Sequence, residues 1–111
     1  VEGKFLIPIG NAYPFLNLMA IVISSWMLVW QAALAQTRLD ALAARRGVEP
    51  TDWEGWARFL AENPDASFYS GKITTAKFYL NHVLPEADAI AKAIRSEDMS
   101  IMEMAESSFA P

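Results

Sequence analysis

The stretch from Tyr13 to Gln36 reads YPFLNLMAIVISSWMLVWQAALAQ, and it contains no charged side chain. The charge-free run is wider still, since no charged residue lies between Lys4 and Arg38. Leu16 to Ala35 alone would form a helix of roughly 30 Å, the length of a small domain or of a bilayer core. Whether this helix lies in protein or in lipid therefore decides the class of the chain.

Polar residues recur every seven positions along this helix, at Asn17, Ser24, Gln31 and Arg38. This spacing places them in one stripe on an otherwise apolar cylinder. We predict from the stripe a helix that other helices cover on most sides, with one narrow wetter seam. The alternative is a small single-span membrane protein with a span over about 14–36 and a soluble helical tail. Arg38, Arg45 and Arg46 follow the run as a positive-inside flank would.

Composition limits the classes of protein that the chain can belong to. With 111 residues it forms one domain at most. A net charge of −4 argues against a nucleic-acid partner. The absence of cysteine excludes disulfides and thiolate metal sites. The chain starts at Val1 without methionine, so we expect a processed protein or a piece of a longer one.

The first twelve residues are predicted to form an extended arm, 1–12, that leads into the long helix. Gly3, Pro8 and Gly10 interrupt this segment and disfavour a helix there. Its apolar residues need cover, so the arm should lie against the helices that follow or against an upstream partner. The remaining residues, 13–111, are predicted to form a single helical domain.

The long helix is predicted over about 13–46. Asn11 is a candidate cap for its start, and Pro14 is tolerated in its first turn. At the other end, Arg45 and Arg46 suit a last turn. Gly47 can adopt the left-handed conformation that often follows a helix.

A short helix is predicted next, over about 52–62. Thr51 and Glu54 have the spacing of a capping box, and Asn63-Pro64 ends the helix. Residues 63–70 are predicted to form a loop. The predicted apolar face of the short helix consists of Trp53, Trp56, Ala57, Leu60 and Ala61.

The next helix is predicted to start near Gly71 or Lys72. Pro85 interrupts it, because proline lacks the N–H and clashes with the preceding turn. Either the helix kinks there or a new one begins. We favour a kinked continuous helix, since the face made by Ile73, Ala76, Leu80, Val83 and Leu84 continues to Ile94.

Ser96-Glu97-Asp98 is predicted to end that helix. A last short helix over about 98–107 would bury Ile101, Met104 and Ala105. Period-two alternation typical of strands occurs nowhere in the chain. The predicted fold class is therefore all-α, an antiparallel helical bundle with two long and two short helices.

The sequence offers few candidate catalytic residues. His82 is the single histidine, and Glu86 is its nearest acid in sequence. A general base or ligand would be the functional role, but a surface histidine beside Pro85 is the simpler interpretation. Ser24-Ser25 is not part of a nucleophile-elbow motif. These small residues favour close helix packing over ligand binding.

The acidic residues provide few further candidates for a catalytic or metal site. They fall around predicted helix ends and loops, and the Glu-x-x-His pairs of a di-iron bundle are absent. Gly-rich phosphate loops are absent as well. Several tryptophans and methionines would suit an acyl pocket, although such residues more often form a core. They are Met19, Trp26, Met27, Trp30, Trp53 and Trp56.

Two stretches together resemble a known family. Tyr13-Pro14-Phe15-Leu16 opens a long apolar helix that runs through Ser24-Ser25-Trp26 to QAALA at 31–35, and KITTAKFY at 72–79 continues to His82-Val83-Leu84-Pro85. Both resemble the extra C-terminal helical domain of a bacterial acyl-CoA dehydrogenase subfamily (the acetyl-CoA dehydrogenase-like C-terminal domain). The resemblance covers about 13–46 and 71–95.

The resemblance implies an accessory domain at the C-terminal part of a longer enzyme of fatty acid metabolism. Such parents are FAD-dependent flavoproteins, oxidoreductases that oxidise acyl-CoA thioesters at the α,β bond. Their FAD-binding residues and catalytic glutamate belong to upstream domains and have no matching position here. We therefore expect no catalytic, cofactor-binding or metal-binding residue in this segment. The expected partners are the upstream dehydrogenase domains and further copies, in the cytoplasm, without nucleic acid or membrane.

Overall fold

The structure is a computed structural model that describes residues 4–110. Within that range every regular element is a helix and no strand occurs, so the predicted all-α class is confirmed. The elements are α1 Leu6–Gly10, α2 Ala12–Arg46, α3 Trp53–Glu62, α4 Pro64–His82, α5 Pro85–Arg95, α6 Ser100–Glu103 and a 3₁₀ helix, Glu106–Phe109.

Helix α2 is the axis on which the other elements are placed. It runs Ala12–Arg46, which confirms the prediction of 13–46, and Pro14 lies in its first turn, where its missing N–H costs nothing. Gly47 ends the helix at φ 65°, and its N–H donates to the carbonyls of Ala43 and Ala44. Helices α4 and α5 both pack along α2, and α3 packs on α4.

The best-packed core lies near the C-terminal end of α2. Leu39 and Ala43 of α2, Phe59 of α3 and Ala66 of α4 form one buried cluster. The rings of Trp56 and Phe59 lie 5.5 Å apart at a tilted angle. Half-buried side chains surround the cluster, namely Leu42, Val48, Trp56, Leu60, Tyr69 and Ile73.

The predicted extended conformation of the arm is wrong for Leu6–Gly10, which forms α1. Pro8 is compatible with this short helix because it lies in the first turn, where backbone N–H groups have no intrahelical partner. Gly3 lies outside the described residues. Asn11 precedes α2, but its side chain does not cap that helix; it donates to the carbonyl of Ile7 at 2.9 Å.

The predicted capping box at Thr51 and Glu54 is also wrong, by one residue. Asp52 is the N-cap of α3, and its carboxylate accepts from the N–H of Gly55 at 3.1 Å. The predicted apolar face of this helix is confirmed at Trp56 and Leu60, which are half-buried. It is wrong at Trp53, which is 84% exposed, and it omits Phe59, which is buried.

The predicted loop at 63–70 is wrong, because α4 begins at Pro64. The Asn63 side chain accepts from the N–H groups of Asp65 and Ala66 at 3.1 Å each. Pro64 is the first residue of the helix and Asp65 lies in its first turn, which is the arrangement that favours a helix start. The apolar face predicted for this helix is confirmed, with Ala76 buried.

Asn63→Ala is expected to lower the free energy of unfolding by about 1 kcal/mol, because two N–H groups of α4 lose their acceptor. Urea denaturation followed by far-ultraviolet circular dichroism would measure the change. Asn81→Ala is the matched control, since Asn81 is exposed near the other end of α4, and we expect a change within about 0.5 kcal/mol. Equal losses at the two sites would contradict the assignment of the cap.

The favoured kinked helix at Pro85 is wrong as well. Helix α4 ends at His82 and a new helix, α5, begins at Pro85. Proline at the first position costs no hydrogen bond, since that N–H would be unpaired in any case. Glu86 and Asp88 occupy the first turn of α5, where acidic side chains interact favourably with the helix dipole.

The C-terminal part is less regular than predicted. Helix α5 ends at Arg95, and Glu97 follows with φ 54°, which confirms the predicted break. The last helix is only Ser100–Glu103, shorter than the predicted 98–107. Ile101 is 69% exposed and Met104 is exposed too, so their predicted burial is wrong.

Candidate functional site

One stripe of α2 faces the rest of the chain, and we name it the inner seam. Its side chains are buried or half-buried and are spaced alternately three and four residues apart, at Leu18, Ile21, Ser25, Leu28, Ala32, Ala35, Leu39 and Leu42. This spacing follows one face of a helix. The small side chains among them, Ser25, Ala32 and Ala35, allow close approach of a neighbouring helix.

Ser25 belongs to the packing of this seam. It is 5% exposed, and its hydroxyl donates to the carbonyl of Ile21 at 2.7 Å. A buried hydroxyl paired within its own helix needs no ligand. Its neighbour Ser24 is exposed, so close helix packing at Ser24-Ser25 is found at the second serine alone.

A second stripe on the opposite side of α2 is the candidate functional site, and we name it the outer seam. It has the same alternate spacing of three and four residues and consists of Leu16, Met19, Ile23, Trp26, Trp30 and Ala33. All six side chains are exposed, with Trp26 at 71%, Leu16 at 66% and Trp30 at 65%. The exposed apolar flanks are Phe15, Val22 and Val29 on one side and Ala20, Met27 and Leu34 on the other.

The outer seam corrects the prediction that α2 is covered on most sides. Helices α4 and α5 pack along α2, but they bury only the inner seam and leave the outer seam uncovered. An exposed apolar patch of this extent marks a surface that interacts with protein or membrane. The covering that the sequence predicts for α2 is therefore incomplete within residues 4–110.

The polar stripe lies between the two seams, on the side of α2 next to α4. Asn17, Ser24, Gln31 and Arg38 are all exposed, as a wetter side requires. The Lys72 ammonium of α4 donates to the Gln31 side-chain oxygen at 3.4 Å and lies 5.4 Å from the centre of the Phe68 ring. Arg38 and Lys72 thus flank an open cleft of about 270 Å³ between α2 and α4.

His82 lies on the surface, as the simpler interpretation predicted. Its ring is exposed and stacks on Phe78 with 4.7 Å between the ring centres. Among residues 4–110, no group of three His, Cys, Asp or Glu side chains lies close enough together to hold a metal ion. Asp52 caps α3, and Glu86 and Asp88 lie in the first turn of α5, in keeping with predicted roles at helix ends.

An apolar groove lies beside the N-terminal end of the outer seam. It has a volume of about 700 Å³ and is lined by Ile7, Pro8, Asn11, Ala12, Phe15, Leu16, Met19 and Ile94. Asn11 is its only polar side chain, and the amide of Asn11 already donates to Ile7. Met19 lines this groove, whereas Trp26 and Trp30 do not, so the alternative of an acyl pocket built on these residues stays a prediction.

Sequence reasoning missed the outer seam as a separate site. The sequence indicates that α2 has more apolar surface than its neighbours can cover, but we did not predict that this surface divides into two faces. The signal was nevertheless present, because bulky residues recur at Leu16, Ile23 and Trp30 while small ones recur at Ser25 and Ala32. Bulky and small apolar side chains on opposite faces indicate two partners of different kinds.

Comparison with known proteins gives a family. The model of the family described as acetyl-CoA dehydrogenase C-terminal like matches residues 5–105. No solved structure gives a significant match.

Two relatives carry dehydrogenase names. The butyryl-CoA dehydrogenase of Syntrophomonas wolfei is 44% identical over 45 residues, which cover 40% of this chain and 7% of that protein. The broad-specificity linear acyl-CoA dehydrogenase FadE5 of Mycobacterium tuberculosis is 30% identical over 109 residues, which cover 98% of this chain and 15% of that protein. The chain thus spans only a small part of the length of either relative.

The family match includes both stretches on which the resemblance was recognised, Tyr13–Ala35 and Lys72–Pro85. The predicted family is therefore confirmed. The match also extends from α1 through α6, so it takes in the whole of α2 with both of its seams. This chain belongs to the acetyl-CoA dehydrogenase C-terminal-like family.

Proposed function

We propose that this chain is an accessory helical domain of an FAD-dependent acyl-CoA dehydrogenase, an enzyme that oxidises acyl-CoA thioesters at the α,β bond. Its proposed role is packing or oligomerisation, through the outer seam of α2. The observation that carries this role is the exposure of Leu16, Trp26 and Trp30. The family match and the names of the two relatives support the type of parent enzyme.

The exposed area is large for a surface without a partner. An indole side chain has roughly 250 Å² of surface, so the exposed fractions of Trp26 and Trp30, 71% and 65%, leave roughly 340 Å² in water. Two side chains alone thus reach the size of the largest apolar patch on an ordinary monomer, about 300–600 Å². The remaining outer-seam residues extend this patch along the helix.

We also propose that the helices form an antiparallel bundle. Lys72 bonds to Gln31, while Asp65, earlier in α4, lines a cleft with Arg45, later in α2. Contacts that advance along α2 while they retreat along α4 support opposite helix directions. The division into an arm over 1–12 and one domain over 13–111 also stays a prediction.

The apolar groove beside the outer seam does not fit FAD, which the family implies for the parent. This groove of about 700 Å³ is open, with Asn11 as its one polar side chain. The pyrophosphate of FAD requires hydrogen-bond donors or cations, and this groove does not provide them. We therefore assign the cofactor and the catalytic residues to upstream domains. The absence of catalytic residues from this segment remains a prediction.

The proposed partners are the upstream dehydrogenase domains and further copies of the chain, in the cytoplasm. A net charge of −4 disfavours nucleic acid. A membrane span is the second candidate, because among residues 4–110 α2 alone has the length and composition to cross a bilayer. The polar stripe and the packing of α4 and α5 along α2 favour protein over lipid.

A binding experiment in trans tests the proposed role. The remaining FAD-loaded domains of a dehydrogenase that carries this segment would be immobilised, and the 111-residue chain would be passed over them. We expect saturable binding, or self-association of the chain in detergent-free buffer. A monodisperse monomer without affinity for those domains would contradict the proposed role. A chain that is monodisperse only in detergent would favour the membrane candidate.

A further inference from the structure

We infer that the outer seam of α2 is covered by the outer seam of a second copy of this chain, with the two α2 helices antiparallel about a two-fold axis that crosses the outer seam between Ile23 and Trp26. This inference rests on the proposed packing role and names the partner. Three features of the outer seam carry it: its spacing, its pattern of side-chain sizes and its area.

The spacing of the outer seam allows another helix to pack on it. The outer seam alternates steps of three and four residues from Leu16 to Ala33, as one face of any α-helix does, and two helices interlock side chains through this a/d pattern. The positions that continue the pattern at either end, Ala12 and Thr37, are small, as is Ala33, so the bulky side chains of the seam run from Leu16 to Trp30.

The pattern of sizes is self-complementary in the antiparallel direction. When one helix is reversed so that the six outer-seam positions overlap completely, Leu16 meets Ala33, Met19 meets Trp30 and Ile23 meets Trp26. Each indole then faces a smaller side chain. A parallel pair would instead place Trp26 on Trp26 and Trp30 on Trp30, and two indoles in one layer overfill the space between helices.

The area agrees with a stable dimer. The large side chains of the outer seam and its flanks are each 40–71% exposed. With up to about 250 Å² for the largest of them, they leave on the order of 1,000 Å² in water. A specific interface needs roughly 800 Å² on each partner. No charged residue lies between Lys4 and Arg38, so two antiparallel copies bury this surface without burying a charge.

Two-fold symmetry makes a prediction that cysteine cross-linking can test. The chain contains no cysteine, so each introduced thiol is unique. Residues 16 and 33 are separated by roughly 25 Å along one helix, while a disulfide requires Cα atoms about 4.4–6.8 Å apart. Leu16→Cys and Ala33→Cys chains, co-expressed with different tags, are therefore expected to form a mixed disulfide and no disulfide with themselves.

The mixed disulfide should form roughly a hundredfold faster than a disulfide between two copies of the same variant, because paired thiols have a millimolar effective concentration. Glu54→Cys places a thiol on the exposed surface of α3, so its rate of disulfide formation measures random collision between chains. Rapid self-coupling of Leu16→Cys would overturn the antiparallel arrangement. Cross-linking no faster than that of Glu54→Cys would overturn the second copy as the partner.

The same samples separate this inference from the proposed function. Chains that fail to cross-link but bind the remaining dehydrogenase domains would leave the packing role intact and exclude the second copy. Chains that are monomeric in buffer and float with vesicles of phosphatidylcholine and phosphatidylglycerol would overturn both. Mixed cross-links together with a dimeric mass by light scattering would support both.

Discussion

Phe59→Ala is expected to lower the free energy of unfolding by roughly 3–5 kcal/mol, the usual cost of removing a buried phenylalanine. Phe59 is 5% exposed and belongs to the cluster that joins α2, α3 and α4 through Leu39, Ala43 and Ala66. Truncation would remove the ring from between three helices and leave a cavity beside Trp56, whose ring lies 5.5 Å away.

The expected loss is large because Phe59 is the largest of the buried apolar side chains within residues 4–110. The other buried apolar residues of that range are Ile21, Leu39 and five alanines, Ala35, Ala43, Ala66, Ala76 and Ala87. The alanines that line the ring, Ala43 and Ala66, are too short to fill the space that it would leave. Since a domain is stable by about 5–15 kcal/mol in total, this one substitution removes a substantial share.

Trp53→Ala is the matched control for that substitution. It removes a larger aromatic ring from the same helix, but Trp53 is 84% exposed, so we expect a change within about 0.5 kcal/mol. Urea denaturation of the two variants, followed by circular dichroism, gives the comparison. Losses of equal size would mean that α3 packs through a face different from the one that the structure describes.

The long helix could be predicted almost to the residue because every local signal agrees. No helix breaker follows Pro14 until Gly47, and Arg45 and Arg46 favour the last turn. The structure places α2 at Ala12–Arg46. Local propensity decides such an element whether or not its surface is covered.

Two of the wrong predictions concern where a helix begins at proline. Asn63-Pro64 ends α3 as predicted, but Pro64 is also the first residue of α4, and Pro85 begins α5 where the sequence predicts a kink. Proline ends the preceding helix and starts the next for one reason, since its missing N–H is harmless only in a first turn. Asn63 and Asp65, on either side of Pro64, also indicate a helix start, because they suit an N-cap and a first turn.

The candidate site could be predicted only in part. The sequence shows that α2 has more apolar surface than short helices can cover, but hydrophobicity alone does not say which stripe the chain covers itself. Side-chain size distinguishes the stripe that the chain covers from the stripe that it leaves exposed. Ser25 and Ala32 permit α4 and α5 to approach, while Trp26 and Trp30 would hold them at a distance.

Trp30→Glu is expected to convert an antiparallel dimer into a monomer while α2 stays folded. Trp30 is 65% exposed and lies outside the buried cluster of the chain, so the fold of one copy does not depend on it. A tryptophan buried in an interface can contribute about 2 kcal/mol or more. In a two-fold interface the loss occurs twice, which raises the dissociation constant about a thousandfold.

Sedimentation equilibrium would measure that constant, and Ser24→Glu is the matched control because it adds the same charge to the exposed polar stripe of the same helix. There we expect a change of about twofold, since the new carboxylate stays in water beside the outer seam. If Ser24→Glu dissociated the dimer as far as Trp30→Glu does, charge repulsion would explain the effect and the outer seam would not be the contact. If Trp30→Glu lost its helical signal instead, Trp30 would belong to the fold of the single chain, and the division of α2 into an inner and an outer seam would be wrong.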